Sequence, residues 1–287
     1  MEKTAKTVFV AGATGYLGRY LVAEFLSRGW HVRALVRSAQ SARIEGLGAK
    51  DLIEAQATDP ATLKGAMQGV DLVVSSLGIT RQKDGLGYMD VDFQANANLL
   101  NQAIADGVPR FAYVHVLGAE KMVHVPLTQA KQAFVDLLNA APIQATVVSP
   151  SGYFSDMSDF LRMAESGRVW LFGDGQKRLN PIHGADLARA VADAAIAGRR
   201  TMDVGGPDIL THKELAQMAF EAVGKPARIT MLPDWIRRLV LRVLPWVTPR
   251  HIHGPAQFFL TAFGMDMVGK AVGKHHLADH FAETATA

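Results

Sequence analysis

Residues 8–18 read VFVAGATGYLG, an apolar run that ends in Gly12, Gly15 and Gly18. The spacing predicts a buried strand feeding a glycine turn that opens a helix, so that backbone amides and the positive helix end face an anion. Gly12 turns the chain, Gly15 lets the backbone approach a phosphate with no Cβ in the way, and Gly18 lets the helix pack on the strand. Downstream, Tyr20, Leu21, Phe25 and Leu26 space the apolar face of a helix that ends at Gly29, and a second strand follows over 31–36. Strand, turn, helix and strand in that order point to a dinucleotide pyrophosphate as the anion. The pattern is GxxGxxG rather than the GxGxxG of dehydrogenases.

Outward from this turn, strand and helix patterns alternate as a doubly wound sheet requires. Strands are expected over 7–11, 31–36, 50–54, 71–75, 111–115 and 144–149, and helices over 16–28, 60–68, about 90–106 and 127–140. Asp59 before Pro60 reads as a helix cap followed by a first-turn proline. Beyond Pro150 the order loosens into short strands at 169–172 and 201–204 and helices at 184–196 and 212–223, the last opened by a Thr211/Glu214 capping box. The fold class is therefore α/β, a doubly wound parallel (Rossmann) sheet with a small mixed α/β C-terminal substrate lid. Residues 1–155, rejoined by helix 184–196 and strand 201–204, form the expected dinucleotide-binding core, and 156–287 the smaller substrate region.

The 287-residue chain has a net charge of only +3 and no cysteine. Disulfides, thiolate catalysis and cysteine-ligated metals are excluded, and a nucleic-acid partner is not implied. The opening MEKTAKTV runs straight into the first strand, leaving no room for a cleavable signal, and no apolar stretch reaches the roughly 18 residues of a membrane span. A cytoplasmic location is expected.

The end of the second strand bears on which dinucleotide is held. An acidic side chain there suits the ribose hydroxyls of NAD, whereas a 2′-phosphate needs cations and hydroxyls. HVRALVRS offers Arg33, Arg37 and Ser38, with no acidic residue before Glu45. NADP(H) is favoured over NAD(H).

GATGYLG, VRALVR, VDFQANANLLNQAIADGVPRFAYVHVLGA, KQAFVDLLN and TVVSPSGYFSDM together resemble the atypical short-chain dehydrogenase/reductases, in their NAD(P)H-binding, NmrA-like branch. The resemblance covers about the first 200 residues. It implies that Gly12, Thr14, Gly15, Tyr16, Leu17 and Gly18 wrap the pyrophosphate, and that Arg37 and Ser38 hold the adenosine phosphate. Asp59 then lies near the adenine, Ser75, Ser76, Leu77 and Gly78 close over the ribose, and residues 150–154, with Pro150, Gly152 and Phe154, meet the nicotinamide carboxamide.

Catalysis in the wider superfamily rests on a tyrosine four residues before a lysine, the lysine lowering the phenol pKa and ordering the ribose. Aligned on Lys131, the tyrosine position is Leu127, which donates no proton. His115 is the first replacement, since it ends a central strand at the carboxyl edge and imidazole titrates near neutrality; the alternative is a hydrogen-bonded core histidine. Tyr153 is second, with Tyr88 and Tyr113 weaker. Asn180, His183 and Asp186 read as a helix start, and His275, His276 and His280 lack a convincing metal-ligand spacing, so no metal is expected.

In DWIRRLVLRVLPWVTPRHIHG, residues 234–254, an apolar face of Trp235, Ile236, Leu239, Val240, Val243 and Leu244 runs beside Arg237, Arg238 and Arg242. It reads as a packed substrate-region helix or as a peripheral membrane contact through 234–244, and it suggests a lipophilic substrate. The expected activity is NADP(H)-dependent reduction of a carbonyl or activated double bond of a small apolar molecule, with His115, Lys131 and Tyr153 at the reacting end. The rival from another class is a non-catalytic redox sensor or membrane-complex assembly subunit. A sugar-nucleotide epimerase or dehydratase fits less well, because Leu127 breaks the pattern those enzymes need.

Overall fold

A computed structural model describes residues 5–44, 46–79 and 85–286. The opening Met1–Thr4 and the acidic Glu45 that bounds the cofactor-choice argument lie outside the described residues. In chain order the regular elements begin with β1 (Thr7–Ala11), α1 (Tyr16–Ser27), β2 (His31–Val36), α2 (Ala39–Ile44), β3 (Asp51–Glu54), β4 (Leu72–Ser75), α3 (Asn96–Ala105), β5 (Arg110–Val114), α4 (Pro126–Ala140) and β6 (Gln144–Pro150). They continue with α5 (Ser158–Glu165), β7 (Val169–Phe172), β8 (Arg178–Leu179), α6 (Gly184–Ile196), β9 (Thr201–Gly205), β10 (Leu210–Thr211) and α7 (His212–Ala222). The remaining elements are β11 (Ile229–Leu232), α8 (Asp234–Val247), α9 (Arg250–Ala262), β12 (Lys270–Ala271) and α10 (Leu277–Thr286).

The main sheet runs β3, β2, β1, β4, β5, β6, β9, β12. The pairings of β1 with β2 and β4, of β2 with β3, of β4 with β5 and of β5 with β6 are parallel. This is the doubly wound α/β order, and its direction reverses between β1 and β4. Val8, Phe9, Val10 and Ala11 are all fully buried, as a central parallel strand covered on both faces must be. At the reversal, the Ser76 amide donates to the Ala11 carbonyl at 3.1 Å, which brings the ends of β1 and β4 side by side.

The chain divides into two compact units, the first comprising Met1–His115, Gln129–Ser149 and Ala188–Met202. Its core joins Phe9, Leu99, Phe111, Tyr113, Phe134 and Val147. Phe134 of α4 meets Tyr113 edge-on, with ring centroids 4.6 Å apart, and so presses α4 onto β5. Helix α1 stops as its glycine predicts: Gly29 takes φ +74°, and the Trp30 amide closes onto the Phe25 carbonyl.

Two helices differ from expectation. Over 60–68 only a short 3₁₀ turn forms, Pro60–Leu63, with Asp59 accepting from the Ala61 amide as cap. Gly65 and Gly69, both at φ +72°, turn the chain away before a helix can continue. The long helix begins as a π-helical stretch, Met89–Ala95, before α3 proper. That wider winding matters for the site below.

The second unit comprises Val116–Thr128, Pro150–Leu187 and Asp203–Ala287. Here β7 pairs in parallel with β11, β8 pairs antiparallel with β10, and β12 pairs in parallel with Val204 and Gly205 of β9. Helices α5, α7 and α10 pack together, and α8 packs on α9. The Thr211/Glu214 capping box forms in both directions, at 3.1 and 2.7 Å.

Candidate functional site

The glycine turn has the shape a phosphate cradle needs. Gly12 sits at φ +80°, and a Cβ there would come within 3.1 Å of the Leu77 amide. A Cβ on Gly18 would overlap the Gly12 carbonyl and Ala13, so Gly18 seats α1 against the turn itself. No side chain caps the α1 N-terminus at Gly15, and Thr14 and Gly15 are exposed. Exposed backbone at an uncapped helix start fits a dinucleotide pyrophosphate.

The segment after β4 closes one side of this cradle and is clamped from beneath. The Ser75 hydroxyl donates to Asn96 Oδ1 at 2.6 Å, and Asn96 Nδ2 donates to the carbonyls of Leu77, Val91 and Asp92. The Ile79 amide donates to Asp92 Oδ2 at 3.2 Å. Asp92 and Asn96 are both fully buried, and Asp92 is supplied by the π-helical stretch. Sequence reasoning assigned neither of them a role. Their signal was two polar residues on the buried side of a helix, which becomes visible only once residues 75–79 are known to lie against it.

Lys131 of α4 reaches the same place. Its Nζ lies 3.3 Å from Asp92 Oδ1 and donates to the Tyr113 hydroxyl at 3.2 Å and to the Val114 carbonyl at 3.4 Å. A Cβ on Gly78 would stand 2.6 Å from Asp92 Oδ1 and 3.1 Å from Lys131 Nζ, so Gly78 is the residue that lets the segment after β4 lie on this ion pair. Burial pushes the Asp92 carboxyl upward, opposed by the Lys131 charge. Tyr113 is fully buried, and its phenol is pushed up to about 12, chiefly by burial. It stays protonated at physiological pH. Leu127, at the place of the usual tyrosine, is a buried apolar side chain.

His115 is 6% exposed, and its Nε2 lies 3.1 Å from Gln132 Oε1. Burial, and then the Lys131 cation, bring its pKa down to about 4. The ring is therefore neutral near pH 7. An amide oxygen can only accept, so Nε2 carries the proton and Nδ1 is a bare acceptor, buried and with no partner among the described residues. This is a hydrogen-bond acceptor, not a store of protons.

At the end of β2, Arg33 is committed to Asp51 at 3.0 Å and to the carbonyls of Ala66 and Gln68. Arg37, the next cation along, is exposed just past the strand. Ser38 accepts from the Ser41 amide at 3.3 Å at the start of α2.

A family model described as NAD(P)H-binding matches residues 12–196, well over half of the chain. The chain belongs to that NAD(P)H-binding, NmrA-like family of atypical short-chain dehydrogenase/reductases. It is 28% identical over 260 residues to divinyl chlorophyllide a 8-vinyl-reductase, chloroplastic, of Zea mays, covering 83% of this chain and 64% of that protein. With the photosystem II assembly factor Ycf39 of Guillardia theta it shares 27% identity over 232 residues, covering 79% and 73%. Among solved structures, the Escherichia coli NADPH-dependent quinone oxidoreductase QOR2 complexed with NADPH superposes with a TM-score of 0.73 at 20% identity, covering 97% and 98%, a likeness of fold.

In this NAD(P)H-binding chain the remaining expected residues fall in the second unit. Gly152, at φ +145°, leads into Tyr153, and the Ile182 amide donates to the Gly152 carbonyl while the Phe154 amide donates to that of Ile182. The fully buried Asn180 side chain bonds both the carbonyl and the amide of Gly269, along with the Gly206 carbonyl, and so has a structural task. His183 accepts from the Ala185 amide at the start of α6. The three C-terminal histidines go separate ways: His275 to Asp186, His276 to Asp208, and His280 against Phe154. Among the described residues no group of three His, Asp or Glu could hold a metal ion. Along α8 no residue is fully buried, and Trp235, Leu239, Val243 and Trp246 are exposed. No helix of the described residues is long and apolar enough to cross a membrane.

Proposed function

We propose that this protein is an NADP(H)-dependent oxidoreductase that reduces a carbonyl or an activated double bond of a small, apolar substrate. The observation that carries the reading is Lys131, held by the buried Asp92 beneath Gly78, where it is placed to bond ribose hydroxyls. The turn from Gly12 to Gly18, with Thr14, Tyr16 and Leu17, holds the pyrophosphate, and Ser76 and Leu77 line the ribose side. Arg37 and Ser38 take the 2′-phosphate, since Arg33 is spent on Asp51. Pro150, Gly152 and Phe154 border the carboxamide, and Asp59, already a cap, lies toward the adenine. The reduced nicotinamide supplies a hydride when bound. The proton comes from the Tyr153 hydroxyl or a water, while neutral His115 accepts a hydrogen bond at Nδ1.

Leu127 favours a second reading, a cofactor-binding protein without turnover that serves in assembly of a membrane complex; the Ycf39 relative is named a photosystem II assembly factor. Exposed Trp235, Leu239 and Trp246 beside Arg238 and Arg242 support peripheral docking of 234–244 on a membrane, which flotation with liposomes checks directly.

Loss of nicotinamide absorbance across a panel of carbonyls, enones and quinones separates the two readings. The enzyme reading requires turnover with at least one compound; a large loss in Tyr153→Phe assigns the proton to the tyrosine, and retained turnover assigns it to the water. Tight NADPH binding with no turnover anywhere supports the second reading instead.

A further inference from the structure

The second unit holds a cavity of about 590 Å³ that the cofactor reading does not use. All of its lining residues belong to that unit, so it owes nothing to the glycine turn. Its volume lies inside the range of small-molecule sites, roughly 300–1,000 Å³. Phe160 of α5, Leu171 and Phe172 of β7, and Phe259 and Leu260 of α9, with Phe263 just beyond α9, give it a mainly apolar, largely aromatic wall.

Polar side chains line it as well: Asp159 pairs with Arg162, the Ser166 hydroxyl donates to the Met163 carbonyl, and Asp156 accepts from the Tyr153 amide. The remaining one is a histidine. His212, the first residue of α7, lines the cavity, is only 4% exposed, and packs edge-on against Phe263 with ring centroids 4.7 Å apart. Its backbone amide is spent on the Lys177 carbonyl, but its ring makes no hydrogen bond among the described residues. A ring nitrogen that faces a cavity with no protein partner is free to pair with a ligand there. Burial brings the ring down to about 4, so it is neutral near pH 7, with one N–H donor and one bare nitrogen. The ionic side chains of the lining are engaged with one another or with backbone, and the neutral ring suits a neutral oxygen.

We infer that this cavity is a binding site for a flat, apolar ring compound bearing a single carbonyl or hydroxyl oxygen, which pairs with His212 while the rings stack among the phenylalanines. The site goes beyond the oxidoreductase reading and stands whether or not hydride transfer occurs. An apolar molecule of that class gains burial from the aromatic wall and orientation from the one hydrogen bond. A purely hydrocarbon ligand of the same shape leaves His212 unpaired.

The test uses the full chain without nicotinamide cofactor, so its failure is separate from any failure of turnover. Acetylnaphthalene and ethylnaphthalene have nearly the same shape and differ by the oxygen. Calorimetric titration is expected to show the ketone binding about tenfold tighter, the equivalent of one net hydrogen bond. His212→Leu should erase that preference, and Ala256→Trp, which fills the cavity, should abolish binding of both, with thermal melting as the folding control. Benzophenone, itself an aromatic ketone, provides a measurement that needs no variant: on irradiation it should crosslink to peptides containing Phe160, Leu171 or Phe259. Equal affinity for the two naphthalenes, binding undisturbed in folded Ala256→Trp, or crosslinks confined to other peptides overturns the assignment.

Discussion

The Lys131 ammonium stands 3.3 Å from Oδ1 of Asp92, a carboxylate with no solvent exposure, contributed by a π-helical stretch 39 residues earlier in the chain. A lysine paired in this way keeps its place whether or not a tyrosine precedes it, and here Leu127 stands at the usual tyrosine position. Removing the carboxylate strands a buried cation. Asp92→Asn should therefore cost about 3 kcal/mol of stability. Lys131→Met should cost less, because burial already favours protonation of Asp92. Urea unfolding of the two variants checks the order, and the reverse ranking would contradict it.

His115 makes stability fall in acid. Its folded pKa, about 4, lies below the ordinary 6.5, so between these values the unfolded chain takes up a proton that the folded one refuses. Stability contributed by the neutral ring is complete above pH 6.5 and is lost as pH falls toward 4, by roughly 3 kcal/mol. Asp156, pushed up to about 6 by burial, acts in the opposite direction over a similar range. The comparison that isolates the histidine is wild type against His115→Gln. The stability difference between them should shrink or reverse against wild type from pH 7 to pH 4, and a difference independent of pH would refute the assignment.

Gly18→Ala places a methyl on the Gly12 carbonyl, so the phosphate turn must move. A displacement of that kind should weaken NADPH binding by about a hundredfold, with a stability loss of only about 1–3 kcal/mol. Fluorescence titration of NADPH alongside thermal melting measures both. Undiminished affinity would mean that the turn does not hold the pyrophosphate.

Arg33 is paired with Asp51, and Arg37 is exposed just past the end of β2, where the proposed function has it meet the 2′-phosphate. Arg37→Asp should lower NADPH affinity by about tenfold or more while leaving NADH affinity the same or higher. A variant that keeps its preference for NADPH would move the specificity elsewhere.

What the sequence made legible was what is local. Val8–Gly18 announces strand, turn and helix within eleven consecutive residues, and the Thr211/Glu214 box declares its helix within four. The helix expected over 60–68 stops short because Gly65 and Gly69 sit in left-handed turns that apolar spacing does not register. Asp92 and Asn96 escaped notice for a different reason: their burial depends on residues 75–79 and on Lys131, all distant in sequence. Strand β11, four residues long and without a fully buried side chain, is defined by β7, some sixty residues earlier. His115 was legible as a position, the end of a central strand, but its neutral state follows from burial and the nearby Lys131 charge, which only the fold reveals.

The central claim is that this chain moves hydride from NADPH to an apolar acceptor. Incubating the purified protein with NADPH deuterated at the transferable position and a panel of apolar ketones and enones, whose products keep the deuterium on carbon, then reading the products by mass spectrometry, tests it without relying on absorbance. At least one reduced product carrying a single deuterium is expected, greatly diminished in Gly18→Ala. NADPH that binds tightly yet passes no deuterium to any acceptor would contradict the claim.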